Sequence, residues 1–207
     1  MKYKFNSLAI IFSAFLFCAI IFINNGASAS KTDNAISVVN ELLHEVSNIQ
    51  KKMISGEQRR AEFQKLIYTF FDINIISKAS TGPYWRIATT EEKERYTSLI
   101  TELIADVTSS QLGEIDNFEF NLQSSTAKGE KMVMVTGNLL VPDQAIDKIL
   151  VKWRVSTPNT NIAKIIDIEF ENISLLVTQK QENVAIIRRN KGHFVALIKA
   201  IENKLKK

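Results

Sequence analysis

The residues best suited to moving a proton near neutral pH are His44 and His193, the two histidines of the 207-residue chain. They stand far apart in sequence, and neither belongs to an H-E-x-x-H or comparable metal-ligand spacing. The one thiol is Cys18, and no G-x-S-x-G elbow or glycine-rich phosphate loop occurs. Glu91, Glu92 and Glu94 cluster at the expected start of a helix, where the dipole and solvent account for them. Asp167 and Glu169 alternate with Ile166, Ile168 and Phe170, which puts the two carboxylates on the polar face of a strand. No nucleophile, acid/base pair or ligand set emerges, so neither enzymatic activity nor a cofactor or metal is expected.

Gly82-Pro83-Tyr84-Trp85-Arg86 offers recognition chemistry of another kind. Tyr and Trp bury their rings while their polar tips reach water, and an Arg pairs with a phosphate or carboxylate. The same residues also suit a structural plug, with Arg86 paired to an acid such as Asp72. Asp72 follows Phe70-Phe71 at the end of an apolar helix and suits a cap for the next turn.

The elements that must position these groups begin after a targeting segment. Lys2 and Lys4, the sixteen uncharged residues Leu8 to Ile23 and the small-x-small motif Ala27-Ser28-Ala29 read as a signal peptide over residues 1–29, cleaved after Ala29. The run is too short for the roughly 20 residues of a membrane-spanning helix. Removing 29 residues leaves 178, a suitable length for one domain over residues 30–207. The mature part has no cysteine, so its apolar core must hold it together without disulfides. Its net charge falls from +4 to +2 with the loss of Lys2 and Lys4, which is too mild to argue for nucleic acid.

Apolar residues recur every three or four positions from Ile36 through Val39, Leu42, Val46 and Ile49, predicting a first helix from Asp33. Ser55 and Gln58 form a capping-box pattern before a second helix carrying Phe63, Leu66, Ile67 and Phe70. A short helix runs from Asp72 through Ile76, and Thr89 or Thr90 caps a long one with Tyr96, Ile100 and Leu103 on its apolar face. This helical half covers residues 33–112. In the sheet half, 117–171, the period changes to two. The strands there are Phe118 to Leu122, Met132 to Val141, Ile149 to Val155 and Ala163 to Phe170. Ser174 caps a helix through Ile187, and a last helix starts at His193, together spanning 174–206. The expected class is α+β: a curved antiparallel sheet of four or more strands roofed by helices. Its interior can be filled by side chains or left hollow.

Phe71-Asp72, Gly82-Pro83-Tyr84-Trp85-Arg86 with Thr89 and Glu91, Arg95-Tyr96, and Ile173-Ser174-Leu175 with Leu197-Ile198 occur in the order found in the MlaC, or toluene-tolerance, family. The chain resembles that family over nearly all of its mature length. It departs at Asn172, Lys180 and Val184, where the family usually has Gly, Arg and Phe. The resemblance implies a cone-like fold around a hydrophobic cavity, and a monomeric carrier in the periplasm of a Gram-negative bacterium. The carrier would move phospholipid between an outer-membrane lipoprotein complex and an inner-membrane ABC transporter complex, maintaining outer-membrane asymmetry. A periplasmic binder of another hydrophobe, such as a hopanoid, and an enzyme on a cone-like fold are the competing readings. Periodicity nominates Phe70, Tyr96, Ile100, Leu103, Val133, Val135, Val151, Trp153, Ile166 and Ile168 as an apolar lining, and Trp85 is a further candidate lipid-binding residue. Among exposed cations that also include Arg59, Arg60, Arg86 and Lys191, Arg188 and Arg189 are the candidates for partner contact.

Overall fold

A computed structural model describes residues 25–112, 118–141 and 148–206. Lys2, Lys4, the run Leu8 to Ile23 and Cys18 lie outside the described residues.

Helix α1 (Asn25–Gln50) starts eight residues before Asp33, so the helix continues back through the Ala27-Ser28-Ala29 segment. Ala35, Val38, Val39, Leu42, Val46 and Ile49 form its buried stripe. A capping box opens α2 (Gly56–Phe70): the Gln58 amide donates to Ser55 Oγ at 3.2 Å, and the Ser55 amide donates to Gln58 Oε1 at 3.1 Å. Asp72 caps α3 (Ile73–Thr81) by accepting from the Ile75 amide at 2.9 Å. This helix runs five residues past Ile76 because nothing stops it before Gly82, which turns the chain at φ 57° into a 3-10 turn over Gly82–Arg86. Thr89 and Glu92 make a second reciprocal cap at the start of α4 (Thr90–Leu112).

The sheet is an antiparallel meander in chain order: β1 (Glu119–Ala127), β2 (Met132–Leu140), β3 (Ile149–Asn159), β4 (Ile162–Phe170) and the short β5 (Ile173–Ser174). Val135 stands opposite Trp153 and Trp153 opposite Ile168, so these three share a face. The next row of that face is Val133, Val155 and Ile165. Between these rows the partner of β3 jumps from Arg154↔Asp167 to Val155↔Ile165, which makes Ile166 the extra residue of a β-bulge. The bulge corrects the alternation expected from sequence: Ile165 is fully buried in its place, and Ile166 is half-buried.

Helices α5 (Leu175–Arg189) and α6 (Val195–Leu205) complete the chain. Two apolar cores result. One joins α1, α2 and α3 to the dry face of the sheet. The other is helical and joins Tyr96, Leu99 and Ile100 of α4 to Ile187 of α5 and to Phe194, Leu197, Ile198 and Ile201 around α6.

Candidate functional site

The sheet-side core gathers Phe70, Val133, Val135, Val151 and Trp153 of the nominated lining, with Ile168 half-buried against them. Tyr96 and Ile100 are buried in the helical core, and Trp85 and Leu103 pack on its margin. The expected single lining is therefore split between two clusters. The reason is that α4 turns its Tyr96, Leu99 and Ile100 stripe towards α5 and α6, while α1 lies along the sheet and α2 packs between α1 and α4. Among the described side chains of α4, Ala105 and Ile104 reach the sheet-side core. Val39, Leu42 and Val46 of α1 take the roofing place instead, and Phe63 and Ile67 of α2 join the same apolar cluster. Their helical period was visible in the sequence, but not which helix the sheet would choose.

Side chains meet directly across this interface. The concavities that stand out lie elsewhere, near the junction of α2 and α4. One is a groove of about 640 Å³ lined by residues including Arg59, Arg60 and Asp106. The other, of about 360 Å³, is lined by Arg60, Gln64, Glu102, Ala105 and Leu205. Neither of these two concavities is lined by the nominated residues.

Two details of the dry face are polar or open. Trp153 Nε1 and Thr157 Oγ1 are buried without a hydrogen-bond partner among the described residues. At Gly137 a Cβ would sit 2.4 Å from Phe120 Cζ and 2.6 Å from the Asn121 carbonyl oxygen. Only glycine lets that ring and that strand approach so closely.

The opposite face carries charge. Asp167 and Glu169 are buried there, which corrects the expectation of a wet strand face. Arg154 supplies the physical reason: its Nη1 lies 3.3 Å from Asp167 Oδ2, and its Nη2 donates to Glu169 Oε1. Lys152 Nζ adds a contact with Glu169 at 3.8 Å. Asp167 also accepts from Ser174 Oγ at 2.6 Å and from the Leu176 amide at 2.9 Å, so it ties the start of α5 to the sheet. Ser174 Oγ in turn accepts from the Val177 amide at 3.0 Å, the cap expected from sequence. Because hydrogen bonds and cations satisfy both carboxylates, the cluster reads as a structural clamp.

The aromatic turn takes neither of its expected pairings in full. Asp72 is occupied as a cap, and Arg86 is exposed and forms no ion pair among the described residues. Trp85 is half-buried, with Lys93 Nζ 5.8 Å from its ring centroid. His44 and His193 are exposed, as are Arg188 and Arg189 in the last turn of α5. Arg60 is paired to Asp106 at 3.5 Å.

Comparison with known proteins adds two findings. The family model described as MlaC protein matches residues 36–203. A phospholipid-binding protein from Ralstonia solanacearum, solved in complex with a phospholipid, has a similar fold at a TM-score of 0.73 and 17% identity. That match covers 84% of this chain and 99% of the solved one. Among curated proteins, none matches significantly.

Proposed function

The chain belongs to the MlaC family, and from that premise we propose that its mature part is a carrier that holds a phospholipid by the acyl chains between the sheet and α1. The observation that carries the reading is the composition of that interface. Ala35 to Ile49 on the helix join Val133, Val135, Val151, Val155 and Ile165 on the sheet in one apolar cluster. The charged groups of β3 and β4 are held on the far side. Each methylene kept from water contributes about 0.8 kcal/mol, so two long chains crossing an aqueous space bare would cost roughly 20 kcal/mol. Enclosure by such an interface offsets that cost without any catalytic group.

The bilayer and the protein interior are similarly apolar, so exchange between them is close to balanced and direction must come from partners. In this reading the protein works in the periplasm, between an outer-membrane lipoprotein complex and an inner-membrane ABC transporter complex. Arg188 and Arg189, exposed and free of ion pairs among the described residues, serve as contacts for the latter. Reversing both charges is expected to slow delivery to the inner-membrane complex while the amount of bound lipid stays the same. Undiminished delivery by the double variant removes this patch from the mechanism.

The reading itself is tested by purifying the mature protein without detergent, extracting it with organic solvent and identifying what it carried by mass spectrometry. Phospholipid at close to one molecule per protein is the expected result. A hopanoid or other hydrophobe in its place would transfer the reading to a different cargo. Protein that arrives empty and takes nothing from liposomes would end it.

A further inference from the structure

The indole N–H of Trp153 is a donor on the dry face left without a partner among the described residues. Trp153 is 6% exposed, and its Nε1 is buried with no acceptor among the described residues. Leaving such a donor unpaired is unfavourable, and buried Trp N–H groups ordinarily find a partner. A water molecule does not resolve this. It needs two to four polar partners, and the other orphan on this face, Thr157 Oγ1, belongs to a residue four positions further along β3, its backbone roughly 13 Å away. Nor does the neighbouring aromatic ring. Phe120 meets Trp153 edge to face with centroids 6.4 Å apart and an interplanar angle of 88°, which offers the donor at most a weak π acceptor.

Resting on the carrier reading, we propose that Trp153 Nε1 is a polar anchor for an ester-linked lipid, donating its hydrogen bond to an acyl ester carbonyl. The surroundings select that chemistry. Val135 and Ile168 flank Trp153 in the cross-strand row, and Lys152 and Arg154, its sequence neighbours, point to the opposite face. A phosphate or a fatty-acid carboxylate would bury its charge there without a counter-ion, whereas a neutral carbonyl needs only the one donor. The ester is also the point at which an acyl chain stops being apolar, so a single donor at that depth fixes how far the chain enters. Room comes from Phe120. It is half-buried, it sits on the edge strand β1, and its ring tip fills the space over Gly137 where any other residue would place a side chain. Swinging it away exposes the apolar row that contains Trp153.

The test offers the delipidated protein an equal mixture of diester and diether phosphatidylethanolamine with identical chains, and measures the bound ratio by mass spectrometry. Wild-type protein is expected to favour the diester about tenfold, the worth of one buried hydrogen bond, and Trp153→Phe to bring the ratio to about unity. The wild-type arm stands even if the variant fails to fold. Equal uptake of the two lipids by wild type overturns the anchor and leaves the carrier reading intact. A folded Trp153→Phe protein that keeps the preference also overturns the anchor. Uptake of neither lipid by wild type overturns the carrier reading and the anchor with it.

Discussion

Arg154→Met is expected to lower the free energy of unfolding by about 3–5 kcal/mol, measured from urea transitions at neutral pH. The size follows from what the side chain separates. Asp167 has a fully buried side chain and Glu169 one that is 9% exposed, and Arg154 reaches both. Met keeps most of the apolar stem but leaves two carboxylates close together in a poorly hydrated site. Lys152 can answer only Glu169, from 3.8 Å. A loss of this size is a large share of the 5–15 kcal/mol that ordinarily holds a domain folded. The same logic predicts rescue. Adding Glu169→Gln removes one of the two like charges, so the double variant should be more stable than Arg154→Met alone, although Glu169→Gln by itself destabilises. Additive losses would show that the carboxylates do not interact and that the clamp has been misread.

That clamp marks where sequence reasoning stopped. The caps at Ser55, Asp72, Thr89 and Ser174 were legible because each is a local pattern of a few residues whose geometry the backbone dictates. So were the α+β class and the meander, because a period change from 3.6 to 2 follows from which way side chains point. The faces of β4 were not. Alternation assigned Ile166 to the core and Asp167 and Glu169 to water, but one bulge residue shifted the first, and Arg154 with the start of α5 enclosed the others. A bulge is set by pairing with a neighbouring strand, and no property of Ile166 itself announces it. Similarly, Tyr96 and Ile100 lie on a clean helical stripe, and a stripe says that a face is buried without saying against what. Gly137 gave a weak signal: an isolated glycine within a β pattern suggests close approach, and Phe120 is what approaches.

Tyr96 joins the helical core to a polar network, and its titration predicts how stability responds to alkali. The residue is fully buried, packed edge to face on Phe194 at 5.7 Å, with its hydroxyl 2.7 Å from Ser80 Oγ and accepting from Asn183 Nδ2 at 2.7 Å. Asn183 Nδ2 also donates to the Ser80 carbonyl at 3.1 Å, so α3, α4 and α5 meet at this point. Ser80 Oγ donates to the Ser77 carbonyl at 3.2 Å, which leaves the Tyr96 proton to be donated to Ser80 Oγ. Burial pushes the phenol up to about 12 from an ordinary value of 10.0, and the hydrogen bonds with Ser80 and Asn183 oppose that rise only in part. The folded chain thus holds the proton more tightly than the unfolded chain does. This contribution is fully present below about pH 10 and is lost as pH rises through about 12, a change of about 3 kcal/mol. Tyr96→Phe cannot titrate. At pH 7 it should be about 1–2 kcal/mol less stable than wild type, because Asn183 and Ser80 lose a partner. Between pH 10 and 12 the wild-type advantage should shrink and then reverse, and the other tyrosines and the lysines cancel in the difference because both proteins carry them. Urea midpoints of the two proteins followed across that range decide the matter. Curves that stay parallel would mean that the Tyr96 hydroxyl reaches solvent and that the seam between α3, α4 and α5 is open to water.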